Sequence, residues 1–351
     1  MASKAQNFIP SYKIVLNNQE LATELNVAVK TVTFEEELNI PAMFCIRLNM
    51  VKPQNNSWQG IDLNVFKPGD EIKLSLGMDQ NQEMMTGEIT ALDVDFGEEE
   101  CTLEVRGYDR MHRLRFGTKR RSFKNIKDSD LVSTIATASG LTAQADNTNT
   151  IYEYLFQNNQ TDYEFLLERA RRLGYELLVS DKKLIFRASQ ENASPEVTLQ
   201  YPVDLNSFFV RLNTLTVGSS IEVRGWDVQN KQEIVGKAET GDESTIMGGR
   251  ESGFKISEKI SKSPVGLTTE AVVDESEAET IAKAQFNSIL KNFIKGEGVC
   301  LGNPKVRAGK TLEIKGCGER FSGVYYVVSA LHSIDQKDGY LTKFKVKRTG
   351  I

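Results

Sequence analysis

The sequence predicts an α+β protein that is mainly β, with two tandem related antiparallel β-barrel modules. A small α/β module is inserted between them, and a C-terminal segment combines a helix with the second barrel. Three observations lead to this fold class. Many short stretches alternate apolar and polar residues, helical patterns are confined to the middle and to the region near residue 280, and one strand motif occurs twice. Alternation of period two is typical of strands that bury one face.

The composition indicates a globular protein of more than one domain. The chain has 351 residues, of which 40% are hydrophobic and 26% are charged, and its net charge is −5. A chain longer than about 250 residues usually divides into domains. The acidic balance argues against a dedicated DNA-binding protein, so no nucleic-acid binding is expected. No apolar run reaches the roughly 18 residues of a membrane span, and residues 1–12 lack the pattern of a secretion signal.

The first β-barrel module is predicted over residues 1–118. Its predicted strands are residues 12–16, 27–34, 44–50, 72–76, 87–92 and 101–107. A Pro-Gly turn at residues 68–69 separates two of them. Consecutive short strands with turns between them suggest an antiparallel barrel or sandwich.

The inserted α/β module is predicted over residues 119–190. Its predicted elements are a helix from residue 128 or 129 to residue 140, a helix from 161 to 174, and strands over 175–179 and 184–186. Thr161 and Glu164 have the spacing of a capping box, in which each side chain accepts a hydrogen bond from the backbone N–H of the other. Gly174 is placed to end that helix.

The second β-barrel module is predicted over residues 191–351 and includes a helix over residues 274–295. Its predicted strands are residues 208–217, 220–225 and 233–238, with three more around residues 312, 325 and 344. The helix begins near Asp274 and carries an apolar stripe. Glycines over residues 296–302 are expected to end it, with Gly-Glu-Gly at residues 296–298 in a loop.

One motif, Glu-Val-Arg-Gly-aromatic-Asp, occurs at residues 104–109 and again at 222–227. Two weaker similarities, or echoes, accompany this repeat. In the first, residues 68–69, 72 and 74 resemble residues 308–309, 312 and 314. In the second, residues 87 and 91–92 resemble residues 323 and 330–331. Chance is the alternative, because strand-turn sequences are degenerate. We expect a duplicated barrel in which Arg106 with Asp109, and Arg224 with Asp227, fix equivalent corners. Replacing both arginines by alanine is then expected to weaken folding or trimer formation.

The sequence offers little that supports catalysis. Of its two histidines, His112 and His332, the second lies in an apolar strand context typical of a structural histidine. There is no GxSxG nucleophile motif and no phosphate-binding loop. The four cysteines, at positions 45, 101, 300 and 317, form no CxxC pair and are expected to be reduced and mostly buried. We therefore expect no catalytic residue, no cofactor and no metal.

Two charged groups remain candidates for function. Asp93 and Asp95 share a strand face and could in principle serve a glycosidase, although a solvated acidic pair is the favoured interpretation. A basic cluster contains Arg110, Arg113, Arg115, Lys119, Arg120, Arg121 and Lys124. Three interpretations of this cluster stay open: a solvated or intrachain-paired connection, which is favoured, a docking surface for an acidic subunit, or a nucleic-acid contact.

Two regions of the sequence resemble a known family. The segment from residue 156 reads FQNNQTDYEFL and is followed by Arg169, Gly174 and Tyr175. It resembles late control protein D of contractile phages and the hub part of VgrG-like spike proteins of type VI secretion. The segments GNP at 302–304, AG at 308–309, FSGVY at 321–325 and GYLT at 339–342 are similar to the closing barrel of such hubs, notably those of extracellular contractile injection systems. The likeness runs from about residue 12 to residue 348.

The resemblance implies a structural baseplate hub with no enzymatic activity. It implies a homotrimer whose pseudo-sixfold ring joins the sixfold inner tube, through tube-initiator subunits above it, to a threefold spike protein below it, beside other baseplate proteins. Synthesis and assembly are then cytoplasmic, in a phage tail or an injection particle. VgrG proteins continue into a further barrel and a spike β-helix, whereas this sequence ends at Ile351. The spike is therefore expected to be a separate polypeptide, unless the chain is truncated.

Two other function classes compete with the hub. A tail-tip cell-wall hydrolase predicts muralytic activity that disappears when a carboxylate is changed. A receptor-binding or carbohydrate-binding tail protein predicts binding to cells but not to tube or spike subunits. Pull-down with those subunits separates the three classes.

Overall fold

A computed structural model describes residues 9–50, 64–97, 100–216, 220–260 and 266–351. The first part contains the strands β1 (Pro10–Leu16), β2 (Gln19–Glu20), β3 (Val29–Glu37), β4 (Ile40–Met50), β5 (Glu71–Met78), β6 (Gln80–Phe96) and β7 (Cys101–Asp109). A short helix, α1 (Thr23–Ala28), precedes β3, and a 3₁₀ turn (Arg110–Arg115) follows β7.

The middle part alternates strands and helices. It contains β8 (Lys119–Ile126), α2 (Asp128–Ala138), β9 (Thr142–Ala145), β10 (Tyr152–Gln160), α3 (Asp162–Leu173), β11 (Tyr175–Ser180) and β12 (Lys183–Ala188). The capping box of α3 is present: the Thr161 hydroxyl accepts from the Glu164 N–H, and the Glu164 carboxylate accepts from the Thr161 N–H at 2.8 Å. Gly174 ends α3 with φ of 68°, as glycine most readily can.

The last part returns to strands. It contains β13 (Val197–Gln200), β14 (Leu205–Leu212), β15 (Ser220–Asp227), β16 (Gln232–Glu239), α4 (Gly253–Glu258), β17 (Gly266–Thr269), α5 (Glu275–Leu290), β18 (Ile294–Leu301), β19 (Thr311–Lys315), α6 (Gly318–Phe321), β20 (Gly323–Asp335) and β21 (Gly339–Arg348). The predicted strand 208–217 ends at Leu212, and its last residue lies outside the described residues.

The protein is mainly β, as the sequence predicted. Within the described residues, thirteen strands form one large sheet, whose main path runs β14-β18-β21-β20-β3-β4-β7-β6-β5-β1-β2. The described part of the chain also has three small sheets: β10 with β8, β11-β12-β9, and β16-β15-β17. Of the strand pairs described in the large sheet, β13–β19 is parallel and the others are antiparallel.

Among the described residues, apolar side chains form three cores. One lies between the strands β3 to β7, a second packs α2 and α3 against β11 and β12, and a third lies between β14, β18 to β21 and α5. Ile334 and Tyr340 belong to the first core although they come from the last part of the chain. The predicted boundaries at residues 118 and 190 remain a prediction.

Two local predictions were wrong. Residues 296–298 lie in β18 rather than in a loop. A side chain at Gly298 would meet the Phe344 ring at 2.3 Å, and one at Gly296 would meet Phe208 at 2.7 Å. These glycines therefore make room for aromatic rings inside a strand. The sequence offers Asp128 or Ser129 as the cap of α2, but the structure begins the helix at Asp128, so both residues are helical, and Lys127 precedes them without a capping hydrogen bond.

Candidate assembly interface

The two halves of the large sheet meet at a junction between β3 and β20. Residues 31–37 pair antiparallel with residues 335–329. Phe34 lies opposite His332, and Val32 lies opposite Ile334. Phe34, Val32 and His332 are all fully buried. The junction is therefore a continuous antiparallel ladder with one buried apolar face.

A partly buried ion pair lies beside this junction. The Arg307 guanidinium donates to both oxygens of Glu36, from Nε at 2.7 Å and from Nη2 at 2.8 Å, and the Ala308 N–H donates to Oε1 at 2.7 Å. Arg307 also packs 5.1 Å from the Phe34 ring centroid. Burial lowers the pKa of Arg307, but the Glu36 carboxylate outweighs burial and raises it. Sequence reasoning missed this pair, because 271 residues separate its members.

The two halves share one order of strand pairing. In the first half the order is β3-β4-β7-β6-β5, and in the second it is β14-β18-β21-β20-β19. Every pair in both series is antiparallel. The junction therefore joins the first strand of one series, β3, to the fourth strand of the other, β20.

Hydrogen bonds and bulges support the same equivalence. The Gly69 N–H donates to the Ile89 carbonyl at 2.8 Å, and the Gly309 N–H donates to the Val327 carbonyl at 2.9 Å. Both glycines have positive φ, of 92° and 76°. A β-bulge follows Ile89 in β6, and one follows Val327 in β20. The Gly69–Gly309 echo thus marks equivalent turns. Such bulges are regular features of related sheets.

The second echo, between Gly87 and Gly323, was misplaced. Gly87 lies opposite Ile72 in the β5–β6 ladder, whereas Leu312, the counterpart of Ile72, lies opposite Tyr325. Gly87 therefore corresponds to Tyr325. A two-residue offset keeps the same strand face, so the echo looked plausible from the sequence.

The two copies of the stronger repeat, at residues 104–109 and 222–227, do not occupy equivalent places in the fold. Strand β7 lies inside the large sheet between β4 and β6, whereas β15 lies in a small sheet between β16 and the parallel β17. The strand that corresponds to β7 by pairing order is β21. The expectation that Arg106 with Asp109, and Arg224 with Asp227, fix equivalent corners is therefore wrong.

What the two motifs share is local. Arg106 pairs with Asp93 and Glu104, and Arg224 pairs with Glu222 and Glu233, so neither arginine contacts the aspartate of its own motif. Each arginine contacts one acidic residue two positions before it in the sequence and a second acidic residue on the neighbouring strand. Hairpin edges repeatedly favour such cross-strand charge pairs.

The two aspartates of the motif also act alike locally but differ in burial. Asp109 accepts from the Met111 N–H at 2.8 Å and from the Ala42 N–H at 3.0 Å. Its burial raises its pKa to about 7, against the effect of these two N–H groups. Asp227 accepts from the Gln229 N–H at 2.9 Å but lies on the surface.

His332 is a structural histidine, as expected. Its Nε2 lies 3.0 Å from the Val306 carbonyl, and its Nδ1 lies 2.9 Å from the Tyr340 hydroxyl and 3.1 Å from Thr342 Oγ1. Burial, followed by the charge of Arg307, lowers its pKa to about 3. A neutral ring donates to Val306 and accepts at Nδ1, so both nitrogens are used.

The basic cluster is largely paired within the chain. Arg110 contacts Glu71, Glu88 and Asp181, and Arg113 contacts Glu88. Burial raises the pKa of Glu88, but these cations outweigh it and the pKa is lowered. These contacts favour the interpretation as an intrachain connection.

Further along the cluster the pattern continues. Lys119 and Arg121 both contact the buried carboxylate of Asp162, at 2.5 and 2.6 Å. Arg115 lies 4.6 Å from the Tyr163 ring centroid, which is the geometry of a cation–π contact. These side chains hold β8 and the 3₁₀ turn to the beginning of α3.

The acidic candidate is exposed on β6. Asp93 and Asp95 both face solvent, and Asp93 forms an ion pair with Arg106. The four cysteines are free, with Cys101 and Cys300 buried and the other two half-buried. Burial raises the pKa of Cys300 to about 12, which makes its thiol a poor nucleophile.

A second buried network ties the middle part to α5. The Asp128 carboxylate accepts two hydrogen bonds from Arg169, at 2.6 and 3.1 Å. Tyr152 stacks on Arg169 and donates its hydroxyl to Glu277 at 2.8 Å. Arg172 also donates to Glu277, at 2.9 Å. Sequence reasoning missed this network, although its Asp128 and Arg169 lie on the two helices that it did predict.

A crevice of about 1280 Å³ lies between α3, α5 and the ends of β20 and β21. Its lining mixes acids, such as Glu176 and Glu191, with bases, such as Lys345 and Lys347. Across the described part of the chain, no group of three His, Cys, Asp or Glu side chains is arranged to hold a metal ion. None of the helices in those same ranges is long and apolar enough to cross a membrane.

Solved structures of tail proteins have the same fold. The 43 kDa tail protein of prophage MuSo2 from Shewanella oneidensis is 12% identical, with a TM-score of 0.71 over 97% of this chain and 98% of that chain. A tail protein from Neisseria meningitidis MC58 is 11% identical, with a TM-score of 0.71 over 97% of each chain. The E. coli c3393 protein is 11% identical, with a TM-score of 0.60 over 92% of this chain and 74% of that chain. It is described as a component of the type VI secretion system with structural similarity to T4 tail proteins gp27 and gp5.

These likenesses define the fold as that of phage tail proteins. The chain belongs to the Alg8 N-terminal domain family, whose model matches residues 6–336. No curated protein matches the sequence.

Proposed function

We propose that the protein is a structural hub of a phage tail or of a contractile injection particle. Three copies form a ring that presents six similar barrels. One face of the ring meets the sixfold inner tube through tube-initiator subunits, and the other meets a threefold spike protein, with further baseplate proteins around it. The hub assembles in the cytoplasm as part of the particle.

The shared order of strand pairing carries this proposal. A ring of three identical chains has threefold symmetry, and it gains approximate sixfold symmetry only if each chain supplies two equivalent modules. The two series of five antiparallel strands, with matching bulges and matching turns at Gly69 and Gly309, support the proposal that each chain supplies two such modules. Most oligomers of identical chains close by rotational symmetry.

The fold and the sequence segments supply the finer assignment. The solved tail proteins support a role in a tail structure, and the type VI component extends that support to injection machines. Within this fold, we assign the chain to the hubs of the late control protein D and VgrG type on the segments around residues 156–175 and 302–342. We further assign residues 1–118, 119–190 and 191–351 to the first barrel, the inserted module and the second barrel.

We propose that the hub is not an enzyme. His332 is buried and fully hydrogen-bonded, and Asp93 is paired with Arg106 on an exposed strand. A zymogram on purified peptidoglycan tests this directly. Clearing by the wild-type chain that disappears in Asp93→Asn or Asp95→Asn would return the hydrolase to first place.

The test of the hub is its mass and its partners. Light scattering on the purified chain is expected to give three times the mass of 39.3 kDa. Immobilised protein is expected to retain the tube-initiator and spike subunits of the same particle, while a bait that carries only the tag retains neither. A monomer at every concentration, or a trimer that binds cells but neither subunit, contradicts the proposal.

A further inference from the structure

Within the described ranges, each half of the large sheet has a stretch of strand that is paired on one side only. Strand β6 pairs with β5 up to Glu88, Ile89 still bonds Asp70 and Gly69, and residues 91–95 then pair with β7 and with no second described strand. Among the same residues, β14 pairs with β18 and with no other strand. Exposed edges of this kind invite pairing with another strand, so proteins usually cover them.

The chain itself contains a closed copy of this arrangement. In the shared pairing order, β6 corresponds to β20, and β14 corresponds to β3. Strands β20 and β3 pair with each other at the junction between the halves. The β6 and β14 edges therefore correspond to the two sides of a second junction of the same kind, since β6 is the fourth strand of the first series and β14 is the first strand of the second. Within the described ranges the chain does not pair β6 with β14, so a second copy can supply the missing strand.

The bulges fix how the second junction aligns. The first residue after the bulge is Ala91 in β6 and Ser329 in β20. Bulges also align β14 with β3, since Ser207 and Thr31 each follow one. In this alignment Val94 corresponds to His332, and Val210 corresponds to Phe34. Because His332 and Phe34 lie opposite each other at the intrachain junction, the same register places Val94 opposite Val210.

Side-chain chemistry agrees with that register. Its neighbouring pairs are Leu92 opposite Leu212 and Asp93 opposite Arg211, so apolar residues meet apolar ones and an acid meets a base. Arg211 is exposed, and Asp93 already carries Arg106 on its other side. A shift by one residue would place Asp93 opposite an apolar side chain and turn each strand's apolar face the wrong way.

Burial points the same way. Val94 is 37% exposed, whereas its counterpart His332 and the residue opposite His332, Phe34, are 0% exposed. Leu92 and Val210 are also only partly buried. Pairing of the two edges would bury these apolar groups as the intrachain junction buries theirs, which favours association.

We propose that β6 of one copy pairs antiparallel with β14 of a second copy, with Val94 opposite Val210 and Asp93 opposite Arg211. This inference rests on the proposed function, because it specifies the contact that closes the ring. Three such contacts alternate with three intrachain β3–β20 junctions. The interface is head-to-tail, which closes a ring when its rotation is correct.

Paired cysteines test the register in the full-length protein. In the variant carrying Val94→Cys and Val210→Cys, mild oxidation or a short bismaleimide is expected to link copies into covalent dimers and trimers on denaturing gels. Cβ atoms directly opposite each other in antiparallel strands are about 4.5–5.5 Å apart, within reach of such links. The matched control carries Val94→Cys and Phe209→Cys, which would project from opposite faces. The single variants and the parent chain report links through the native cysteines.

A charge variant gives a second measurement that needs no linkage. Arg211→Asp is expected to weaken association at least tenfold by sedimentation, because it faces Asp93, whereas Arg211→Lys keeps the trimer. Covalent linkage of the 94/210 pair alone, together with this charge effect, supports the proposal.

The outcomes separate the two proposals. A trimer that links equally through the 94/209 control, or that links in neither variant and tolerates Arg211→Asp, overturns this interface while the hub stands. A wild-type chain that is monomeric throughout overturns both.

Discussion

Breaking the Glu36–Arg307 pair should destabilise the junction between the two halves of the large sheet. In Glu36→Ala the Arg307 guanidinium loses both carboxylate bonds, and the Ala308 N–H loses its acceptor. Removing one partner of a buried ion pair costs about 3–5 kcal/mol. Because 23% of the Arg307 side chain stays exposed, water can solvate part of its charge. We therefore expect a loss of about 2–4 kcal/mol in the free energy of unfolding, after discounting for that exposure.

The assay is urea unfolding at one fixed protein concentration, because association adds to apparent stability. Glu36→Gln keeps one oxygen acceptor and should lose less than Glu36→Ala. The matched control is Glu35→Ala, whose side chain is exposed on the same strand, and it should change stability by no more than about 0.5 kcal/mol. Equal midpoints for Glu36→Ala and Glu35→Ala would refute the argument that this pair holds the junction.

Three further changes test other parts of the structure. Asp128→Ala leaves Arg169 buried without its carboxylate partner and should lower the free energy of unfolding, measured in urea, by about 3–5 kcal/mol. The control Asp130→Ala changes an exposed site in the same helical turn and should lower it far less. Similar losses in the two variants would contradict a buried ion pair at Asp128. Thr161→Ala removes the cap of α3 and should cost about 1 kcal/mol, which thermal melting can measure, and an unchanged melting temperature would count against the capping box. Because the pKa of His332 is lowered to about 3 in the folded chain from 6.5, the unfolded chain takes up this proton first, so the contribution of His332 to stability should fall as pH drops from about 6.5 towards 3. Asp109, whose pKa is raised to about 7 in the folded chain, contributes in the opposite direction, so the test compares two proteins rather than reading one profile. As pH drops, the melting temperature of His332→Gln should rise relative to that of the parent chain, and parallel profiles would show that His332 contributes nothing.

Local patterns predicted the elements well where neighbouring residues decide them. The capping box at Thr161 and the left-handed Gly174 depend only on residues within one turn of helix, so both were visible in the sequence. The alternation of Phe44, Ile46 and Leu48 likewise determined which face of β4 is buried. Glycines were less informative. Gly296 and Gly298 suggested a loop because the aromatic rings that need their space come from other strands.

The repeat shows how far sequence similarity can mislead about equivalence. The motif shared by residues 104–109 and 222–227 reflects hairpin charges and an aspartate turn, which any hairpin edge can use. The true counterparts, β7 and β21, share no obvious motif, because their equivalence lies in which strands they pair with. Only the modest echo of Gly69 and Gly309 survived, since a turn with positive φ restricts residue type.

The sequence by itself determined the mainly β class, the helices of the middle part and the absence of a recognisable catalytic motif, because these follow from period, capping and composition. Only the tertiary structure decided the pairing order of the strands and the partners of Arg307 and Asp128. The physical reason is range. Hydrogen bonds within a helix or a turn join near neighbours, whereas sheet pairing and buried ion pairs join residues that can be hundreds of positions apart and that no local pattern identifies.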